Sequence, residues 1–197
     1  MLSARRRVIA LSTSTAMLLA ATAAPAAATT LNAKTQQSCP AAPLSHPFAR
    51  WGDQASYRLA PGGDFRTQSW TVKGAARYVP GGAPATVPGV SGSTSVLLPA
   101  SGSVTSPLMC LDASEPTMRF FIEGTGAVSV QIVDNGAPVV AGIVSAGARW
   151  QPSPLLQTSG SQLGALSGGT AQVSVRITGL SGAPRVDDLY IDPWNRG

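Results

Sequence analysis

Three stretches of this chain alternate apolar and polar residues with a period of two, a spacing that suits extended strands and not helices. Met118, Phe120 and Ile122 fall on one side of such a strand, while Arg119, Phe121 and Glu123 fall on the other. Val128, Val130 and Ile132 alternate with Ser129, Gln131 and Val133, and Val173, Val175 and Ile177 alternate with Ser174, Arg176 and Thr178. Strands with one apolar face suit antiparallel sheets that bury one side. The turn chemistry agrees. Asp134-Asn135-Gly136 separates two of these runs and is a strong hairpin signal. Gly124-Thr125-Gly126, Pro80-Gly81-Gly82 and Ser181-Gly182-Ala183-Pro184 mark further turns. The 21 glycines and 16 prolines also work against long helices.

The pattern predicts nine or ten short strands, near 56–60, 69–73, 75–79, 94–98, 103–106, 117–123, 127–133, 138–144, 171–178 and 185–191. Their spacing indicates an all-β protein, an antiparallel β-sandwich or jelly roll in a single domain. Residues 151–170, with Pro152, Pro154 and a Ser/Gly-rich run, read as a long loop or a short helical turn at Leu155-Leu156. There is no internal repeat.

The first residues have the form of a secretory leader. Arg5, Arg6 and Arg7 precede an apolar stretch from Val8 to Ala24, and Ala26-Ala27-Ala28 offers a small-residue cleavage site. The competing reading, a membrane anchor, is weakened by Ser12, Thr13, Ser14 and Thr15 within the stretch. The division expected is a signal peptide at 1–28, a polar lead-in at 29–46 and the β-sandwich at 47–197, with the mature protein secreted and without a membrane span. Removing three leader arginines leaves 11 basic against 9 acidic residues and no basic run, so the charge does not point to nucleic acid. Roughly 170 residues remain, enough for one sizeable core. In an exported protein the only two cysteines, Cys39 and Cys110, are expected to form a disulfide.

Catalytic chemistry is poorly supplied. The single histidine, His46, lies in the lead-in between Ser45 and Pro47, a poor place for a positioned base. Gly89-Val90-Ser91-Gly92 only approximates a nucleophile elbow. One histidine and two paired cysteines do not make a catalytic zinc site. Acidic pairs for glycoside hydrolysis exist in number, but nothing singles out a flanking pair. Ligand binding by aromatic rings is better supported, because the C–H faces of sugars stack on flat rings. Trp150, flanked by Arg149 and Gln151, is the first choice for a platform, followed by Trp51 and Trp194; these three sit beside polar, Gly or Pro residues. Trp70 and Tyr190 read as packed residues instead.

Two motifs carry a resemblance. Pro61-Gly62-Gly63-Asp64-Phe65, followed by Trp70-Thr71-Val72, resembles the opening of galactose-binding-like jelly rolls, several carbohydrate-binding module families among them. Val186-Asp187-Asp188-Leu189 resembles their last strand. The chain from Cys39 on is also similar to a group of small secreted actinobacterial proteins of uncharacterised function, through Pro47-Phe48-Ala49-Arg50-Trp51-Gly52-Asp53 and the ending Asp187 to Trp194. The resemblance implies that the first and last strands lie side by side. It implies a structural calcium near them, for which Asp64, Asp187 and Asp188 are the candidate ligands. Arg66 stands where that pattern has an acidic residue, so an Arg–Asp pair with Asp187 or Asp188 is the competing expectation. No other cofactor is expected. The function implied is a secreted non-catalytic binding module for polysaccharide or cell-envelope glycan. The alternative is a structural or protein-interaction component of the cell surface, and a hydrolase with an unrecognised site stands third.

Overall fold

The alternating stretches become the longest strands of a two-sheet structure. The computed structural model describes residues 39–84, 93–112, 114–158 and 170–193, all within the compact unit Thr35–Gly197. The expected leader lies outside the described residues, as do most of the lead-in, the whole Gly89-Val90-Ser91-Gly92 segment and Trp194. In chain order the elements are β1 (Leu44–Ser45), a 3-10 turn (Ala49–Trp51), β2 (Tyr57–Leu59), β3 (Thr71–Lys73), β4 (Arg77–Pro80), β5 (Thr94–Leu97), β6 (Ser103–Thr105) and β7 (Met109–Asp112). They continue with β8 (Thr117–Glu123), β9 (Gly126–Asp134), β10 (Ala137–Ser145), β11 (Gln151–Pro152), β12 (Leu156–Gln157), β13 (Thr170–Gly182) and β14 (Arg185–Asp192).

One sheet runs β1-β2-β14-β5-β4, with β8 on the other side of β14 and the short β11 and β12 on β8. The second runs β10-β9-β13-β6-β3, with β7 also on β13. Every pairing is antiparallel. The expected antiparallel sandwich is therefore borne out. The β9–β10 hairpin closes through Asn135 and Gly136, both at positive φ (47° and 83°), as a primed two-residue turn requires.

The residues on the inward side of each strand meet between the sheets. Val96, Met118, Phe120, Ile122, Val186, Leu189 and Ile191 from one sheet pack with Val104, Leu111, Val128, Val130, Val173, Val175 and Ile177 from the other. Each such fully buried side chain contributes about 1.5–3 kcal/mol relative to exposure. Trp70 belongs to this core, as expected: it is buried, stacks edge-on against Phe65 at 5.0 Å, and donates Nε1–H to Pro61 O at 2.9 Å.

The first and last strands meet, as the resemblance implied. β14 pairs with β2, Ala60 N–H donates to Leu189 O at 2.9 Å, and Leu189 N–H donates to Gly63 O at 3.2 Å. Gly63 has to be small, because a Cβ there would sit 2.7 Å from Leu189 O. Phe65 and Leu189 share the inter-sheet core.

Three local expectations are corrected. The lead-in is not wholly irregular, since Leu44–Ser45 extends the sheet by pairing with Arg58 and Tyr57. The segment after Gln151 makes no helical turn at Leu155-Leu156; Gln151–Pro152 and Leu156–Gln157 instead pair with β8. β7, unforeseen, pairs with the start of β13. It carries Cys110, whose disulfide to Cys39 ties the N-terminal segment to the body across 71 residues. Closing a loop of that length stabilises by about 4 kcal/mol if the effect is mainly on the unfolded chain.

Candidate functional site

The outer face of the β14 sheet carries a second apolar cluster, and it is aromatic. Tyr57, Phe121 and Tyr190 point away from the inter-sheet core on neighbouring strands, and Phe48 lies across them. Phe48 is fully buried, with ring centroids 4.9 Å from Tyr57, 5.0 Å from Phe121 and 5.6 Å from Tyr190. The 3-10 turn after Phe48 then places Trp51 against Phe121 at 5.2 Å. Trp150 packs against the same cluster from the opposite side of the chain order. Two of the three expected platform rings are thus brought to one cluster, both half-buried. The third, Trp194, lies outside the described residues.

Arginines hold this cluster from its rim. Arg50 lies 4.5 Å from the Trp51 ring centroid, Arg119 4.8 Å from Phe48 and Arg185 5.4 Å from Trp150. Such cation–π contacts contribute about 0.5–1 kcal/mol each at exposed sites. Arg119 donates to Asp53 Oδ2 at 2.6 Å, and Tyr57 OH donates to the same oxygen at 2.7 Å. Burial works against the Asp53 charge, yet the hydrogen bonds from Tyr57, the Ala55 amide and Arg119 outweigh it, and its carboxyl is held below the usual range. Arg185 bonds Glu123 at 3.0 Å, Ser95 Oγ at 2.8 Å and Pro80 O at 2.9 Å, fixing the chain beside Trp150.

The three carboxylates expected to bind calcium lie at the split in β14. On one edge its partner changes from β5, opposite Arg185–Val186, to β2, opposite Tyr190–Ile191. The register against β8 shifts between Asp187 and Tyr190, and Asp188 takes φ +46° in that bulge. Asp187 is fully buried, and its oxygens accept from the backbone N–H groups of Ala83 (2.8 Å) and Asp188 (2.9 Å). Asp64 accepts from Arg66 Nε at 2.5 Å, whereas the competing expectation had paired Arg66 with Asp187 or Asp188; Arg66 also acts on Asp188 through its charge. Asp188 Oδ1 and Tyr190 OH are buried without a hydrogen-bond partner among the described residues. Burial first, then repulsion from Asp188, pushes Asp187 well above the carboxylate range; burial and Asp64 do the same to Asp188, partly offset by Arg66. Tyr190 is raised by burial and by the same three carboxylates.

That geometry fits calcium poorly. Calcium takes six to eight oxygens, whereas the oxygens of Asp64 and Asp187 are already engaged. Among the described residues, the one group of three ligand-type side chains with atoms within 4.8 Å of one another is Cys39, Asp112 and Glu115. It does not make a metal centre either. Cys39 sulfur is in the disulfide, and Glu115 pairs with Arg58 at 2.5 Å and accepts from the Asp112 amide. Sequence reasoning missed this buried Arg58–Glu115 pair, because nothing local to Arg58 announces a partner 57 residues away.

His46 is exposed, with Nδ1 3.0 Å from Gln54 O and 3.2 Å from Ala55 O, which ties the lead-in to the loop before β2. Beyond the aromatic cluster, an open cleft of about 540 Å³ lies where β8 begins and β14 ends.

No protein-family model matches the chain. No curated protein matches it either. Among solved structures it is similar to a family 6 carbohydrate-binding module from Clostridium stercorarium in complex with cellobiose: 11% identity, 62% of this chain and 86% of that one, TM-score 0.43. It is also similar to a family 61 module in complex with β-1,4-galactotriose (19% identity, 68% and 96% covered, TM-score 0.41). A family 11 module of a Clostridium thermocellum cellulosomal cellulase gives 15% identity, 69% and 94% covered, and TM-score 0.41. At these values the likeness carries no argument about a ligand, and the architecture rests on this chain's own strand pairing.

Proposed function

We propose that the chain is an exported, non-catalytic glycan-binding module whose ligand meets the outer face of the β14 sheet at Trp150 and Trp51. The observation that carries this reading is the gathering of both rings, each with an arginine beside it, on one cluster. A half-exposed ring offers a surface for sugar C–H groups, while neighbouring guanidinium groups donate to hydroxyls. The end-strand motifs support the same class, and the disulfide and leader support export. Arrays of polysaccharides and peptidoglycan test it. Retention on at least one glycan is expected, with Trp150→Ala weakening it about tenfold, the scale of losing one stacking ring. No retention on any glycan overturns the reading.

We further infer that the Asp187–Asp188 pair keeps a proton in place of a cation. The engaged oxygens of Asp64 and Asp187 and the two raised carboxyls support this. Calcium added to the chelated protein should leave its melting temperature unchanged; a clear rise would restore the calcium reading at Asp64, Asp187 and Asp188.

One observation favours the second reading, a surface protein-interaction component. The edge strand β10 carries no charged residue and exposes Val140 (60%) and Ile143 (65%). Exposed apolar edges of this kind are places where strands add. Co-purification of a protein partner without glycan affinity would decide for it.

A further inference from the structure

The cleft at the start of β8 borders the aromatic cluster through Ala55, and Gln54 Nε2 donates to Ala49 O at 3.3 Å, but none of the cluster's rings lines it. Pro116, Leu155 and Pro193 give it apolar sides, and Gln54 and Gln157 bring exposed amides to its mouth. Asp192 is the one charged side chain among its described lining residues. Its Oδ2 accepts from Thr117 Oγ1 at 3.1 Å, and Oδ1 has no hydrogen-bond partner among the described residues. No cation pairs with it among the described residues. The nearby Arg119 is committed to Asp53 and to Ser153 O, and the Asp53 charge itself opposes that of Asp192. Asp192 is therefore a half-buried carboxylate without a counter-charge, facing an open space.

This sets a rule for what can enter. A neutral ligand that covers Asp192 can donate a hydroxyl to it but brings no counter-charge to offset the lost water. A ligand that brings an ammonium group supplies both the hydrogen bond to Oδ1 and the counter-charge. The two amides add donors and acceptors for hydroxyls, and the proline and leucine walls suit a C–H face. A hydroxylated ring bearing a free primary amine satisfies all three at once.

We infer that this cleft is a second binding site, selective for an amino sugar whose nitrogen is not acetylated, with Asp192 as the residue that reads the ammonium. The site is separate from Trp150 and Trp51, and it rests on the glycan reading above only for the sugar half of its ligand. N-acetylation removes the positive charge and leaves Asp192 covered with at most a neutral donor, so the cleft discriminates by charge.

The experiment is calorimetric titration of the full mature protein at about pH 6, between ordinary carboxylate and amine values. The probes are a glucosamine oligosaccharide, its fully N-acetylated counterpart and a plain alkyl diamine. The aminated sugar should bind about tenfold more tightly than the acetylated one, the scale of a hydrogen bond to a charged group. Asp192→Asn, which keeps an acceptor for Thr117, should abolish that preference. Gln157→Ala, on an exposed side chain, should weaken the aminated sugar without removing its advantage, and it serves if Asp192→Asn fails to fold. Backbone and side-chain amide shifts on titration should centre on Gln54, Thr117 and Gln157. Equal affinities for the two sugars, or a preference that survives Asp192→Asn, would overturn the site. A diamine that binds as well as the sugar would overturn the sugar half. Shifts confined to the Trp150 indole would overturn the cleft while leaving the glycan reading of the aromatic face intact.

Discussion

The molecule has two hydrophobic clusters, built on opposite faces of one sheet. Between the sheets, aliphatic side chains pack with Phe65, Trp70 and Phe120. On the outer face, Phe48, Tyr57, Phe121 and Tyr190 share their space with Asp53, Arg119, Arg185 and the buried Asp187. The first cluster is what a sandwich needs to exist. The second sits on a face that such a sheet can leave to water, and it buries polar groups beside its rings. Regular alternation builds the first cluster; residues from an N-terminal turn and a long connection complete the second.

The sharpest way to break this comparison is to delete one large ring from each face of the same sheet. Phe120→Ala, inside, should cost about 3–5 kcal/mol and lower global stability in denaturant. Phe48→Ala, outside, removes a fully buried ring too, but its segment can settle. It should cost less, open chiefly the 47–55 segment, and show as faster amide exchange there with the slow core amides unchanged. Equal costs and equal exchange would mean that the two clusters are one cooperative core.

A smaller effect separates the clusters by pH. In the folded state Asp187 and Asp188 have carboxyls raised above their unfolded values, so the folded form binds more protons. Stability should therefore fall as pH rises from about 4 upward through neutrality. Asp53 works the other way: its lowered value contributes stability that is lost as pH falls. Melting temperatures across pH should peak on the acid side, and Asp187→Asn should flatten the alkaline decline. A profile that rises steadily to pH 8 would contradict the buried-proton reading.

Much of the fold was legible because period-two alternation is a local signal. Phe121 was placed on the side held by Arg119 and Glu123, but the alternation did not reveal the outer cluster it joins. The strands that escaped, β1, β7, β11 and β12, are two to four residues long. Residues such as Gln151-Pro152 pair only because β8 offers them an edge, and that offer is a tertiary fact. The candidate rings Trp51 and Trp150 could be named from their polar neighbours, but not the single cluster that joins them across some hundred residues. Asp192 was visible only as one acid among nine. Its lack of a counter-charge depends on where Arg119 points, which no spacing in the chain encodes.

The placement of β14 also constrains biogenesis. It bonds β2, β5 and β8 at once, yet it follows all three in the order of synthesis. A nascent chain therefore cannot close its first sheet until residue 192 has emerged, and the earlier strands wait with open edges. For the exported protein proposed above, such a delay would keep the polypeptide threadable and leave folding, with closure of the Cys39–Cys110 bond, to the far side of the membrane.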